Sequence, residues 1–85
     1  MEPTRAQLRV LVAVDDHVAA RGYPPSLAEL AARVGVASRS AVKPHLEALT
    51  ALGLLTRESR TSRAMALTVR GTVIVAAERT RRVGA

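Results

Sequence analysis

Residues 22–53 read GYPPSLAELAARVGVASRSAVKPHLEALTALG. In this stretch Ser26 and Glu29 have the spacing of a capping box, in which each side chain accepts a hydrogen bond from the other residue's backbone amide. The apolar residues that follow have helical spacing, and Gly35 readily adopts the left-handed conformation that closes a helix. The pattern therefore predicts a short helix over about 27–34 whose inner face carries Leu27, Leu30, Ala31 and Val34.

Another helix is predicted directly afterwards, capped by Ser38 or Ser40 and ending near Leu52, before Gly53. Four of the five residues on one face are apolar: Val42, His45, Leu46, Leu49 and Leu52. The opposite face carries Ser40, Lys43, Pro44 and Glu47. Two helices joined by a short turn that begins with glycine form a helix-turn-helix. Its second helix exposes a small polar and basic face suited to a DNA major groove, although an ordinary solvated face has the same pattern.

Two local features modify these helices. Pro44 lacks a backbone N–H, so it predicts a kink in the third helix or a delayed regular start. A first helix from Thr4 to about Arg21 precedes the turn, with an inward stripe of Leu8, Leu11, Val12, Asp15 and Val18. Asp15 and Asp16 are adjacent on that helix, so we expect them to point in different directions and to form no acid/base pair.

A hairpin is predicted after Gly53, where the apolar period changes. Residues 54–58 and 63–67 read as strands and residues 59–62 as a polar turn. A hairpin that follows a helix-turn-helix is a wing. Its basic residues suit DNA phosphates or a minor groove, although such a tip can also serve solubility alone; they are Arg57, Arg60 and Arg63.

The last segment, residues 68–85, is open to two interpretations. Its β-branched run 72–75 can extend the sheet, whereas Thr68 can cap a helix that runs to Arg82. We favour the helix, with Val69, Val73 and Ala76 on one side. The arginines near the end are expected to fray and to touch DNA without specificity; they are Arg79, Arg81 and Arg82.

Composition narrows the classes of function. The 85 residues suit one domain, and 13 basic against 7 acidic residues give a charge of +6, which favours a polyanionic partner. There is no cysteine, and two histidines without a carboxylate cluster do not make a zinc site. No nucleophile–base pair, phosphate loop or long apolar run occurs. We therefore expect a cytoplasmic protein that is not an enzyme, with no cofactor, no metal, no membrane segment and no small-molecule ligand.

The order and spacing of the motifs along the chain are specific enough to indicate a family. Gly-Tyr-Pro-Pro-Ser at 22–26, Glu-Leu-Ala at 29–31, Val-Gly-Val at 34–36, His-Leu-Glu-Ala-Leu at 45–49 and Gly-Leu-Leu at 53–55 resemble the LexA DNA-binding domain. The resemblance covers about residues 4–67. It implies a winged helix that binds palindromic operators as a dimer and represses transcription. Carried over by position, the base-contacting segment corresponds to Ser38, Arg39, Ser40, Ala41, Lys43 and Pro44.

The departures from that family are also informative. LexA repressors continue into a self-cleaving peptidase domain with a Ser–Lys dyad, whereas the only lysine here, Lys43, lies on the expected DNA face. We therefore expect a stand-alone DNA-binding domain without self-cleavage. Recognition helices of the family often carry Asn and acidic residues where this sequence has Ser40, Lys43 and Pro44, so we expect a different operator. The Leu67, Thr68 and Gly71 pattern resembles the junction to a dimerising C-terminal helix in MarR- or PadR-like winged helices, which makes 69–77 the candidate dimer surface.

Together these observations predict a mainly α fold with a small β-hairpin: a winged helix-turn-helix with three helices, a two-strand wing and a C-terminal helix. Residues 1–67 are expected to form the DNA-binding domain and residues 68–85 a C-terminal helix or extension with a basic tail. The predicted function is a sequence-specific regulator of transcription that binds double-stranded DNA, as a repressor and a homodimer. The alternative is a winged helix used for protein–protein contact, or an accessory subunit of a larger nucleoprotein complex.

Overall fold

The computed structural model describes residues 2–57 and 64–84. The elements follow in the order α1 (Arg5–Arg21), α2 (Leu27–Val34), α3 (Arg39–Ala51), β1 (Leu55–Arg57), β2 (Met65–Leu67) and α4 (Val69–Gly84). The two strands form an antiparallel hairpin, and the helices surround one apolar core. This architecture confirms the predicted winged helix-turn-helix.

The first helix, α1, begins at a capping box. The backbone amide of Gln7 donates to the Thr4 hydroxyl at 3.1 Å, and the Thr4 amide donates to Gln7 Oε1 at 2.9 Å. The buried face of α1 is broader than the predicted stripe, because α2, α3 and the hairpin all pack against this helix; it carries Val10, Leu11, Val12, Ala13, Val14 and His17. The prediction that Val18 points inward is wrong. It follows the last buried residue of α1, His17, and is 37% exposed.

The second helix, α2, begins and ends as its sequence predicts. The Ser26 amide donates to Glu29 Oε1 at 2.9 Å and the Glu29 amide donates to Ser26 Oγ at 3.2 Å, which confirms the capping box. At the other end, Gly35 has a φ of 87°. A side-chain bond also ties α2 to α1, since Arg33 Nε donates to Nδ1 of the buried His17 at 3.0 Å.

The third helix, α3, begins at Arg39 even though Pro44 lies inside it. The predicted delay of its regular start is therefore wrong. Proline removes only the one N–H that would bond the Ser40 carbonyl. The helix is held by its buried side, where Val42, Leu46 and Leu49 are fully buried in the core. Burial of these three side chains outweighs the loss of one backbone hydrogen bond.

The fourth helix, α4, resolves the alternative between helix and strand in favour of the helix. The Thr68 hydroxyl accepts from the Gly71 amide at 3.0 Å and donates to the Gly53 carbonyl at 2.6 Å, so one side chain both caps α4 and fixes it to the end of α3. Further along, Val75 is buried in the shared core.

Charged contacts hold the middle and end of α4. Arg79 Nη2 lies 2.7 Å from Asp15 Oδ2 and 2.7 Å from Asp16 Oδ1. The hydrogen bonds to Asp15 and then Asp16 raise the pKa of Arg79 above its ordinary value. The expectation that Asp15 and Asp16 point in different directions is wrong, because both carboxylates contact the same nitrogen of the Arg79 guanidinium. The expected fraying is wrong as well: α4 is helical through Gly84, and Arg82 Nε donates to Glu78 Oε2 at 3.2 Å.

Candidate nucleic-acid interface

The outer face of α3 carries the residues that the sequence assigned to DNA. All six are exposed and lie together at the start of the helix; they are Ser38, Arg39, Ser40, Ala41, Lys43 and Pro44. Glu47 continues the same face one turn later. The opposite side of α3 is packed into the core, so this face points to solvent.

The charges on this face are arranged to attract an anion. Arg39 and Lys43 are four residues apart and therefore neighbours on the helix surface. The first turn of α3 contains no acidic residue, and the unpaired amides of a helix N-terminus carry partial positive charge. Among the described residues, neither Arg39 nor Lys43 forms an ion pair. Both cations are thus available to an external partner.

Ser38 occupies the N-cap position, but its side chain makes no capping hydrogen bond. The predicted side-chain cap of α3 is therefore wrong for Ser38, although the position is right. The consequence for the site is that the Ser38 hydroxyl is not used by the helix. It adds a donor and acceptor beside Arg39.

The turn between α2 and α3 fixes the direction of this face. The amides of Gly35 and Val36 both donate to the Ala31 carbonyl, at 2.9 Å and 3.0 Å. Val36 is half-buried against the core. These contacts close α2 and set the angle at which α3 leaves the turn, so the exposed face of α3 does not depend on a loose connection.

The hairpin lies directly beyond the end of α3. Its register pairs Leu55 with Leu67 and Arg57 with Met65. Leu55 and Met65 are buried, while Arg57 is half-buried. The other two predicted wing residues, Arg60 and Arg63, lie outside the described residues. Of the three predicted wing arginines, the structure describes Arg57 alone, which lies at the end of β1.

The rest of the described chain shows neither a metal-binding cluster nor a membrane-spanning helix, and it exposes an apolar surface on α4. Within residues 2–57 and 64–84, no three His, Cys, Asp or Glu side chains are grouped to hold a metal ion. In the same residues, no helix has the length and apolar character needed to cross a membrane. On α4, Val69 is 82% and Val73 61% exposed, and Ala76 is exposed beside them. The predicted dimer surface is thus open to solvent.

One charged feature was not predicted from the sequence. Four arginines from the two ends of the chain surround a groove between α1 and α4: Arg5, Arg9, Arg81 and Arg82. The only local signal is the four-residue spacing of Arg5 and Arg9. Nothing local indicates that residues 81 and 82 return to the same place.

Comparison with known proteins identifies relatives of most of the chain. The family model described as the LexA DNA binding domain matches residues 1–64. The LexA repressor of Sorangium cellulosum is 44% identical over 62 residues, which are 73% of this chain and 27% of that protein. LexA repressor 1 of Geobacter sulfurreducens is 43% identical over 61 residues, or 72% of this chain and 30% of that protein. The chain thus spans less than a third of the length of these two relatives.

Proposed function

We propose, because this chain belongs to the LexA DNA-binding domain family, that it binds double-stranded DNA at specific sequences and represses transcription by occupying its site. The observation that carries the proposal is the exposed, basic outer face of α3, a helix whose opposite side is buried in the core. The names of the relatives as repressors support the direction of regulation.

In the proposed complex, α3 enters the major groove with its N-terminal half. In this proposal Arg39 pairs with guanine, because a guanidinium can bond O6 and N7 of that base together. Lys43, one turn later, reaches the same kind of acceptor. The small residues around them allow close approach to the bases; they are Ser38, Ser40, Ala41 and Pro44.

The wing supplies attraction rather than sequence preference in this proposal. Arg57, Arg60 and Arg63 contact the phosphate backbone or an adjacent minor groove. Contacts to phosphate position a protein on the duplex and carry no sequence information directly. In this proposal α3 therefore reads the bases, and the hairpin contacts the DNA backbone.

A single domain of this size reads only a few base pairs, so useful specificity requires two half-sites. We propose a homodimer on DNA that pairs through the outer face of α4. The supporting observation is the pair of exposed valines one turn apart, Val69 and Val73, with Ala76 on the same side. A symmetric pair would bring each valine close to its counterpart or to the other valine.

The proposal is tested by selecting bound sites from random duplexes and titrating the best one at several salt concentrations. We expect the logarithm of the affinity to fall linearly with the logarithm of salt, with a slope of about 3 or more per protomer if about four phosphates are contacted. Salt-independent affinity, or no binding at about 50–100 mM salt, overturns DNA binding. A stable complex with another protein that forms without DNA would instead support the protein-contact function.

A further inference from the structure

The groove between α1 and α4 has a volume of about 300 Å³ and is lined by Arg5, Leu8, Arg9, Glu78, Arg81 and Arg82. We infer that this groove binds a small, multiply charged anion with the chemistry of a pyrophosphate or phosphate ester. This inference does not depend on the proposed DNA complex. It rests on the charge of the groove, on how its arginines are held and on where it lies relative to α3.

The charge of the groove is strongly positive. Four arginines and one glutamate give it a formal charge of +3. The glutamate is itself occupied, because Glu78 is nearly buried and accepts a hydrogen bond from Arg82 Nε at 3.2 Å. Burial of a lone carboxylate is unfavourable, so this pairing also holds Arg82 at the groove. The remaining positive charge has no counterpart among the lining residues.

The four guanidinium groups fall into two kinds. Arg82 is held by Glu78, and Arg9 Nη2 donates to the Val34 carbonyl at 3.1 Å. By contrast, the guanidinium groups of Arg5 and Arg81 make no hydrogen bond or ion pair with any described residue. Each guanidinium has five N–H donors in a planar fork that matches the oxygens of a phosphate group. Two fixed and two unpaired forks around one cavity are suited to an anion with several such oxygens.

The groove and the outer face of α3 have no residue in common. At 100° per residue, Arg5, Leu8 and Arg9 lie on the side of α1 opposite to Val10 and Val14. Val10 and Val14 are fully buried in the core that α1 shares with α3. Arg9, at the edge of the groove, donates to the Val34 carbonyl at the end of α2, so the groove adjoins the helix-turn-helix but is formed by residues outside α3.

The size of the groove favours a small ligand. About 300 Å³ is at the lower limit of pockets for small molecules and cofactors. Leu8 provides an apolar surface beside the charges, next to the aliphatic stems of the arginines. Helix α1 lies within the residues matched by the family model, and α4 lies after them. An anion bound in the groove would contact both helices and so stabilise the packing of α4 on α1.

The test titrates the full chain with pyrophosphate at constant ionic strength, by calorimetry and by backbone amide NMR. We compare the parent with Arg5→Gln plus Arg81→Gln. The matched control is Arg21→Gln plus Arg70→Gln, which removes the same charge outside the groove. We expect saturable binding, shifts centred on residues 5–9 and 78–82, and at least about tenfold weaker binding in the groove variant, because two charge-assisted contacts are lost. The control should stay within about twofold of the parent, and pyrophosphate should raise the Tm of the parent and the control.

Circular dichroism and thermal unfolding without ligand establish that both variants fold. Equal weakening in the two variants would mean that only overall charge matters, and this result overturns the inference. Shifts centred on α3, or no saturable binding by the parent, overturn it as well. Binding of a glutamate-rich peptide to the groove in the absence of pyrophosphate binding overturns the class of ligand.

Discussion

The backbone carbonyl of Leu54 occupies the space that a side chain on Gly71 would need. A Cβ at position 71 would overlap the carbonyl oxygen of Leu54 and lie 3.0 Å from its carbonyl carbon. That same oxygen accepts a hydrogen bond from the Thr68 amide at 3.1 Å. The start of α4 therefore packs against the backbone of Leu54, the residue before β1, as closely as backbone atoms allow.

The first prediction concerns the close contact between Gly71 and the backbone of Leu54. In an open helix position, Gly→Ala gains about 1 kcal/mol of stability. Here Gly71→Ala should instead lower the free energy of unfolding by about 1–3 kcal/mol, because the backbone of Leu54 must move to admit a methyl group. Chemical denaturation measures the difference. Thr72→Ala, at an exposed neighbouring position, should change stability by less than about 0.5 kcal/mol. Equal stability of Gly71→Ala and the parent would show that α4 can shift freely.

The second prediction concerns the contact of Arg79 with Asp15 and Asp16. All three side chains are 39–46% exposed, so solvent screens the pairs. Arg79→Gln should lower the free energy of unfolding by about 0.5–1 kcal/mol, and less at high salt. In a double-mutant cycle, Asp15→Asn should cost less when Arg79 is already replaced. Strictly additive effects would contradict a direct interaction.

The pH dependence of this contact has a defined sign on the arginine side. The pKa of Arg79 is raised, so its contribution to stability is fully present below the unfolded-state pKa and is lost only as the pH rises through the higher folded-state pKa. The stability difference between the parent and Arg79→Gln should therefore stay constant from about pH 6 to pH 10. A decline within that range would mean that another titrating group controls the contact.

The third prediction concerns Pro44. Pro44→Ala restores an N–H that can donate to the Ser40 carbonyl and removes the ring that crowds it. Both residues are exposed, so no core contact changes. The free energy of unfolding should rise by about 1–3 kcal/mol, the range left after the greater freedom of alanine in the unfolded chain is deducted. No gain on thermal or chemical unfolding would indicate that the helix has already adjusted around proline.

The fourth prediction separates sequence reading from general attraction. Arg39→Ala or Lys43→Ala should reduce the preference for the selected site over scrambled DNA by about 1–3 kcal/mol. Arg60→Ala plus Arg63→Ala should weaken binding to both DNAs alike and flatten the salt slope by about two units. The measurement is a salt-series titration with both duplexes. Loss of preference in the wing variant, with the α3 variants unaffected, would reverse the proposed roles.

The fifth prediction concerns dimerisation through α4. Val73→Asp places a charge on the outer face of α4, where Val73 is already largely exposed, so the fold should be retained. Cooperative binding to a full palindromic site should weaken, whereas affinity for a single half-site should fall only slightly, as for any added negative charge. Val18→Asp, at an exposed valine on α1, is the control for that charge. Full-site binding as tight as that of Val18→Asp would place the dimer contact elsewhere.

The parts of the fold that the sequence predicted are those set by neighbouring residues. The capping box of Ser26 and Glu29 and the left-handed Gly35 involve contacts within a few positions, so they can be found in the sequence. The outer face of α3 followed from the spacing of Val42, Leu46 and Leu49 in the same way. Residues 72–75 were ambiguous because their β-branched side chains favour strands. The cap at Thr68 and the buried Val75 decide for the helix.

The features that the sequence did not predict depend on contacts between distant parts of the chain. Asp15 and Arg79 are 64 positions apart, and neither has a local pattern that indicates the other. The same holds for the groove, whose lining comes from α1 and the last turns of α4. In each case the crossing of α1 and α4 had to be known first.

The anchoring of α4 also determines how the molecule should unfold. The family match ends at residue 64, yet β2 supplies Met65 and α4 supplies Val75 to the same core as Val10 and Leu46. The segment that defines the family is therefore smaller than the cooperative unit of folding. A fragment cut at residue 64 would uncover the apolar side of β1 and lose the partner of its only described strand pairing. The full chain should unfold in one transition with a single Tm, whereas such a fragment should be partly unfolded and prone to aggregate.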